Sequence, residues 1–363
     1  MDTLTVKLLP YAAPFPGIES LWEAVGILTF TVHLILINIL VGCLCIVFLN
    51  SFSFNKLQKQ QAPQLATQKT ILEGMEYLPK TLALAVNFGV PPLLFVQLVY
   101  GQFTYPAAII QGFWWLGIML LVMIAYYGLY LFNSQESLLR RQVILIISIS
   151  FLFLTLLIQS SNAVISQDPN SWLNWLAIGK STLFLTEIKH LIPRTLHTII
   201  SSLAIGGLAL ATYSELRKRQ GIANQEALIN NGLNWFKHAT LLQFIIGTWY
   251  FLSLTETQQT LLLASPLMHI LFTLILILTF ASLYFAQKKQ AIKTVFCTIL
   301  TIGLMVSIRA FLKRMTILSF ESIRPEVVSP QFSILLTFLV SLLFTAIIVY
   351  FVLKIAYKTN QQA

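Results

Sequence analysis

Charged residues are scarce in this chain of 363 residues. Only 10% of its residues are Asp, Glu, Lys or Arg, whereas 57% are hydrophobic and the mean hydropathy is +0.78. A soluble domain of this composition would expose too much apolar surface to water, so we predict a polytopic membrane protein that contacts the lipid bilayer. The net charge is +10, but the basic residues lie in short loops between apolar runs, which argues against a nucleic-acid partner.

Cysteines and the common catalytic motifs are also rare or missing. The three cysteines, Cys43, Cys45 and Cys297, lie in apolar runs, where thiols behave as small hydrophobic groups, so no disulfide is expected. The sequence contains no CxxCH, GxSxG, Walker-type loop, HExxH or cysteine cluster with metal-site spacing. We therefore expect no covalent haem c and no soluble-enzyme chemistry.

Long apolar runs make up most of the sequence. With about 20 residues for each crossing, we predict an all-α fold of nine transmembrane helices, which form one helical bundle over residues 1–363. The first run is too long for a signal peptide and has no basic start. The predicted spans are 22–48, 81–102, 106–132, 140–162, 192–213, 236–254, 259–286, 291–311 and 332–356.

The distribution of basic residues predicts the orientation. Alternate assignment of the nine spans places roughly two thirds of the 23 Lys and Arg residues on one side, which the positive-inside rule makes cytoplasmic. The N-terminus is then periplasmic and the C-terminus cytoplasmic, as in a multi-pass protein of the bacterial inner membrane. The outer connections 163–191 and 312–331 carry Lys180, Lys189, Lys313, Arg314 and Arg324, and we predict that they attract an acidic partner.

Potential haem ligands occur within three of the apolar runs. His33 lies roughly 12 Å, His197 roughly 8 Å and Met268 about 10 Å below the outer face, from a rise of about 1.5 Å per residue. His269 follows Met268 directly. Polar groups at such depth are costly and usually functional, and imidazole and thioether are the usual axial ligands of haem iron. We predict metal ligation by His33, His197 and Met268.

Each of these residues also has a simpler interpretation. A lone histidine in a helical bundle can hydrogen-bond a neighbouring hydroxyl or carbonyl group, and Met268 can be core filler, with His269 on another face of its helix. Arg194 precedes His197 by one turn, and Arg309 closes the eighth span at its outer end. Both arginines suit haem propionates, although basic residues at helix ends often extend to the interface.

Together these segments resemble the first subunit of the cytochrome bd quinol oxidases. Phe30-Thr31-Val32-His33 is similar to the segment that carries the high-spin haem b ligand of that family, and residues 88–101 are similar to its second-span motif. Arg194 to Thr198 resembles the segment with the histidine ligand of the low-spin haem b. Leu267-Met268 lies where the family has its methionine ligand. The resemblance covers the first two thirds of the chain.

The sequence also departs from that family. The third span lacks the two glutamates that the family uses for proton delivery; Trp115 and Met123 lie near the matching positions. The long quinol loop is reduced to a few residues around Glu256 and Gln259. No glutamate precedes Arg309 in the eighth span, where the family has a haem ligand. The chain therefore resembles a divergent member in which quinol oxidation and oxygen reduction at the usual sites are not expected.

The resemblance implies an electron-transfer subunit of a respiratory oxidoreductase complex. Such a subunit would hold two or three non-covalent haem b groups near the outer face and pass electrons between quinone or oxygen chemistry and an external partner. The expected partners are other subunits of the complex, a periplasmic cytochrome c or a second bd-like subunit. Two alternatives remain: a membrane anchor without cofactors, and a secondary transporter, for which Pro91-Pro92 is the only candidate helix break.

Overall fold

Helices account for nearly all of the structure. The computed structural model describes residues 18–59, 74–172, 175, 179–183, 188–223, 225–318 and 332–360, and no strand occurs among them. In chain order, the helices are α1 (Glu19–Lys59), α2 (Leu78–Gln111), α3 (Phe113–Ser134), α4 (Leu138–Ile165), α5 (Ile188–Arg219), α6 (Glu226–Leu252), α7 (Glu256–Ala264), α8 (Pro266–Gln287), α9 (Ala291–Leu318) and α10 (Phe332–Asn360). The predicted all-α class is confirmed.

Seven described helices are long and apolar enough to cross a membrane, which supports a multi-pass membrane protein. They lie in Glu19–Ser51, Met75–Gln111, Phe113–Ser134, Leu138–Ile165, Ile188–Arg219, Pro266–Gln287 and Ala291–Ile317. The predicted span 236–254 falls within α6, which is not among the seven. The predicted span 332–356 falls within α10, where Leu335–Phe344 is a shorter apolar stretch. Residues 1–17 and 361–363, including both termini, lie outside the described residues.

The predicted end of the second span and start of the third span were wrong. The sequence placed the end of the second span near residue 102, but α2 continues through Pro91, Pro92 and Pro106 and ends at Gly112, whose φ is +49°. Glycine adopts this positive φ without the steric cost of a side chain. Inside α2, only Tyr100 departs from helical geometry, with φ −127° and ψ 32°. Pro91-Pro92, the candidate break of the transporter alternative, therefore lies in continuous helix, and the kink occurs at Tyr100.

The predicted span 259–286 is divided into α7 and α8. Thr255 and Gln258 form a capping box at the start of α7, and the chain breaks at Ser265 before Pro266 begins α8. Proline favours the first turn of a helix because it has no N–H to leave unpaired there. Met268 and His269 consequently lie in the first turn of α8 and not in the middle of a continuous span.

Helix α5 lies between α1 and α6, and glycines allow a close approach on both sides. A Cβ atom on Gly206 would lie 2.4 Å from the carbonyl carbon of Gly42 in α1, and one on Gly207 would lie 2.7 Å from the carbonyl oxygen of Gly232 in α6. Small residues at helix crossings are typical of membrane proteins, where close packing replaces the hydrophobic effect between helices. Asn38 accepts a hydrogen bond of 2.7 Å from Ser202 at the same α1–α5 contact.

Replacing Gly206 with alanine should therefore destabilise the bundle. The added methyl group can be accommodated only if α1 and α5 move apart, and overpacking of this kind costs about 1–3 kcal/mol. Thermal unfolding of the detergent-solubilised protein would measure the effect. Gly303→Ala in α9 is the matched control, because a Cβ atom there meets nothing within 4 Å. Equal unfolding temperatures for the two variants would contradict the close helix contact.

Candidate functional site

His33 of α1 has the surroundings of an oriented ligand. Its Nδ1–H donates a hydrogen bond of 2.8 Å to the carbonyl oxygen of Ala85 in α2. This bond fixes the ring and leaves Nε2 as the nitrogen with a free lone pair. Metal-bound histidines usually donate their second ring N–H in this way, often to a backbone carbonyl. The predicted ligand His33 is therefore oriented by a backbone contact that the sequence did not reveal.

Gly89 provides the space that the His33 ring occupies. A Cβ atom on Gly89 would lie 2.7 Å from Cε1 and 2.8 Å from Nδ1 of the imidazole, closer than such atoms approach in proteins. Any larger residue at this position would displace the ring. Ala85 and Gly89 are one turn apart on α2, so a single stretch of this helix both holds the imidazole and makes room for it.

His197 of α5 has a buried ring nitrogen without a partner. Nδ1 is fully buried, and among the described residues it has no hydrogen-bonding group. The ring lies beside Tyr250 of α6, with 5.7 Å between ring centroids, and next to Gly247, where a Cβ atom would lie 3.5 Å from Cε1. A buried polar nitrogen without a partner costs stability, so this ring is suited to binding a ligand that would compensate the cost.

Three basic side chains lie together near these histidines. The charge of Arg194 in α5 acts on both Arg309 and Lys313 of α9. None of the three forms an ion pair with an acidic side chain in the described part of the chain. Cations held inside a membrane protein are costly unless an opposite charge compensates them. This group, which we call the cation cluster, is therefore suited to an anionic ligand.

Arg309 connects the surroundings of the two histidines. Its guanidinium carbon lies 4.7 Å from the ring centroid of Phe30, which is one turn before His33 and 6.2 Å from it between ring centroids. Arg309 also interacts electrostatically with Tyr250, the aromatic neighbour of His197. Phe30 beside His33 and Tyr250 beside His197 thus both interact with one arginine of α9.

Arg309 lies on the side of α9 away from the exposed Phe296. The outer face of this helix exposes Phe296, and Met305, nine residues later, points to the opposite side. Met305 is nevertheless 41% exposed, and Arg309, one turn further on, also keeps an accessible surface although protein surrounds it. The neighbouring Ile302 and Ile308 are buried. Met305 and Arg309 are therefore accessible on a side of α9 that differs from the side of Phe296.

A second polar network lies next to the cation cluster. Tyr100, at the kink of α2, donates a hydrogen bond to Glu23 of α1, and Arg314 donates one of 2.8 Å to the other oxygen of the same carboxylate. Lys313 lies over the Tyr100 ring, with Nζ 4.5 Å from its centroid. Glu23 is thus occupied by Tyr100 and Arg314, which leaves the cation cluster without this acid.

The structure places the remaining candidates away from this arrangement. Met268 is 1% exposed and packs in an apolar cluster with Leu262, Ile308 and Leu312, as core filler would. No described contact joins it to His197, and its role as a ligand stays a prediction. His269 is exposed; its backbone N–H donates to the Ser265 carbonyl at 3.2 Å, and its carbonyl oxygen accepts from Thr273 at 2.8 Å.

The outer basic residues differ from the predicted docking loop. Lys313 and Arg314 belong to α9, which continues to Leu318 and not only to residue 311. Their side chains contact Tyr100 and Glu23, so they are not free in a surface loop. Arg324 lies outside the described residues. Lys313 and Arg314 are therefore helical residues and not loop residues, and their attraction of an acidic partner stays a prediction.

These residues fit haem b better than a simple metal ion. Among the described residues, no three His, Cys, Asp or Glu side chains form a group that could hold a metal ion. Haem iron needs only one or two axial ligands from the protein, which His33 and His197 can supply separately. Propionates are carboxylates, and cations without acidic partners are suitable groups to bind them. The Nδ1 of His197, unpartnered among the described residues, and the oriented imidazole of His33 agree with this donor set.

Sequence reasoning missed Ala85, Gly247 and Tyr250 as parts of the site. Ala85 acts through its backbone carbonyl, and Gly247 through the absence of a side chain, so neither has a chemical signature in the sequence. Tyr250 is one of 12 tyrosines and lies one turn after Gly247 on α6, which gave no reason to single it out.

Comparisons with protein-family models, curated proteins and solved structures gave no match to this chain. The resemblance to subunit I of the cytochrome bd oxidases thus depends on the sequence segments around His33, Gly89, His197 and Met268.

Proposed function

We propose that this chain is a haem b electron-transfer subunit of a respiratory oxidoreductase complex, related in design to subunit I of the cytochrome bd oxidases. Its haems would be non-covalent and bound near the outer face of a bacterial inner membrane. Nine crossings, with the N-terminus periplasmic and the C-terminus cytoplasmic, belong to the same proposal.

The observation that carries the proposal is that cations without acidic partners among the described residues interact with the neighbours of both histidines. His33 is held by a backbone carbonyl in the orientation expected of an axial ligand. His197 has a buried nitrogen without a partner. Arg309 reaches the neighbours of both rings, Phe30 and Tyr250. Imidazole donors beside a cluster of cations are what a porphyrin with two carboxylate groups requires.

The side chains have separate roles in this arrangement. His33 and His197 would each hold one haem through a ring nitrogen, with the Ala85 carbonyl and the Gly89 space fixing the orientation of His33. The cation cluster would bind the propionates and favour the reduced state by its positive charge. Tyr250 and Phe30 would exclude water from the sides of the two rings. Haem b, when bound, supplies one-electron transfer.

The outer position of the site determines its electron partners. Arg194 and Arg309 lie at the ends of α5 and α9 that the positive-inside rule places outside. Electrons would pass between quinone in the membrane and a periplasmic cytochrome c or a second bd-like subunit. Because the third span has no glutamate, proton delivery by the route of the bd oxidases is not part of the proposal.

A reduced-minus-oxidised spectrum of the purified protein tests this function. We expect the bands of b-type haem, extractable with acidic organic solvent because no CxxCH is present. The His33→Ala, His197→Ala double variant, purified in parallel from the same host, should lack these bands. A wild-type protein that folds and carries no haem would overturn the proposal, and the anchor and transporter alternatives would then remain.

A further inference from the structure

The turn between α8 and α9 carries three exposed lysines and no acidic residue. Lys288, Lys289 and Lys293 lie within six residues of one another, and all three side chains are exposed. Helix α8 ends at Gln287 and α9 begins at Ala291. We call residues 284–293 the lysine turn.

Local contacts give the lysine turn a defined shape. Lys288 Nζ lies 5.8 Å from the ring centroid of Tyr284, and Lys293 Nζ lies 5.5 Å from that of Phe285. The turn itself is closed by a hydrogen bond of 2.9 Å from Gln290 N–H to the Phe285 carbonyl. Lys289 has a φ of +58°, the left-handed conformation that reverses the chain. Two of the three ammonium groups are therefore held in place by aromatic rings.

The positive charge of the lysine turn is not neutralised by the described part of the protein. Lys288, Lys289 and Lys293 form no ion pair there. Lys289 interacts electrostatically with one acid, Glu226. The pKa of Glu226 is held below its usual range chiefly by a hydrogen bond from Lys218, whose Nζ lies 2.9 Å from the carboxylate. Glu226 is thus already paired. Arg219, at the end of α5, differs from the three lysines because it forms an ion pair with Glu215.

Apolar side chains directly below the turn would face the membrane. Phe280 is 59% and Phe296 66% exposed, and Ile277 and Ile292 are also exposed. The candidate spans Pro266–Gln287 and Ala291–Ile317 end and begin at the turn, so the lysines lie at the level of the headgroups. An exposed apolar surface beneath unpaired cations matches a molecule with acyl chains and an anionic headgroup.

We propose that the lysine turn binds the phosphate of an anionic phospholipid headgroup. Lys288 and Lys293 contact the phosphate from opposite sides of the turn, and the acyl chains lie along Phe280 and Phe296. This site is independent of the haem proposal, because it uses none of the residues of the cation cluster and lies at the other end of α8 and α9.

Native mass spectrometry of the detergent-solubilised full chain tests the site. Binding of phosphatidylglycerol should be tighter than that of phosphatidylcholine with the same acyl chains. The variant with Lys288, Lys289 and Lys293 all changed to glutamine should lose this preference by at least about tenfold, since each lysine near an anionic lipid contributes on the order of 1 kcal/mol. Circular dichroism should show unchanged helix content, because all three side chains are exposed.

The matched control changes Lys80, Arg140 and Arg219 to glutamine, which removes the same charge from other helix ends and leaves Lys218 paired with Glu226. This control should keep the preference for phosphatidylglycerol. The proposal would be overturned by equal binding of the two lipids to the wild type, by equal losses in both triple variants, or by an unchanged preference in the lysine-turn variant. Competition by millimolar inorganic phosphate that abolishes lipid binding would also overturn it, because the site would then recognise free phosphate.

Discussion

Replacing His33 with alanine is expected to remove one haem b equivalent from the purified protein. The loss should be nearly complete for that haem, because the imidazole is the only ligand in the proposed site on α1 and Ala85 and Gly89 are shaped around its ring. The haem assigned to His197 should remain. The haem-to-protein ratio and the reduced-minus-oxidised spectrum measure the change.

A second variant separates ligation from a general loss of structure. Gly89→Val keeps His33 but places side-chain atoms where the ring lies, since a Cβ there would be 2.7 Å from Cε1. It should lower the occupancy of the same haem. Gly117→Val in α3, where a Cβ meets nothing within 4 Å, and His238→Ala, an exposed histidine bonded to the Asn234 carbonyl, should have no effect. An unchanged spectrum of His33→Ala would reject the assignment.

Replacing Arg309 with methionine is expected to lower the midpoint potentials of both haems. The guanidinium lies between the neighbours of His33 and His197, and its positive charge favours the reduced state of each. A unit charge about 10 Å away at an effective dielectric constant of about 20 contributes about 1.7 kcal/mol, which is ~70 mV for a one-electron couple. Potentiometric titration of the purified protein measures both potentials.

The control for Arg309 removes the same charge elsewhere. Arg141 lies over the ring of Phe132, near the start of α4 and far along the bundle from α9's outer end. Arg141→Met should leave both potentials within a few millivolts of the wild type, since surface charges at long distance are screened. If Arg309→Met moves only one potential, the arginine serves one haem and the shared cation cluster is wrong.

Much of the fold followed from the sequence. Apolar runs of span length predicted the helices, because every backbone group in lipid must be bonded within its own segment. The helix boundaries were less accurate. Helix α2 ends at Gly112 and α8 begins at Pro266, although the apolar pattern continues through both positions. Hydropathy does not report the positive φ of Gly112 or the missing N–H of Pro266.

The candidate site could be predicted only in part. His33, His197, Arg194 and Arg309 are conspicuous in apolar segments, because polar groups there are costly. Their relation to one another was not visible, since it depends on which helices touch. The carbonyl of Ala85 and the missing side chain of Gly89 affect the orientation of His33 only because α2 lies against α1.

The sequence by itself determined that this protein is helical and built for a membrane, and it singled out the two histidines, because composition and periodicity are properties of one segment at a time. Only the tertiary structure decided that Arg309 lies between the surroundings of both rings, that Tyr100 and Arg314 occupy Glu23, and that Met268 packs among apolar side chains. The physical reason is that ligand orientation, ion pairing and burial depend on contacts between helices far apart in the chain, which local patterns do not specify.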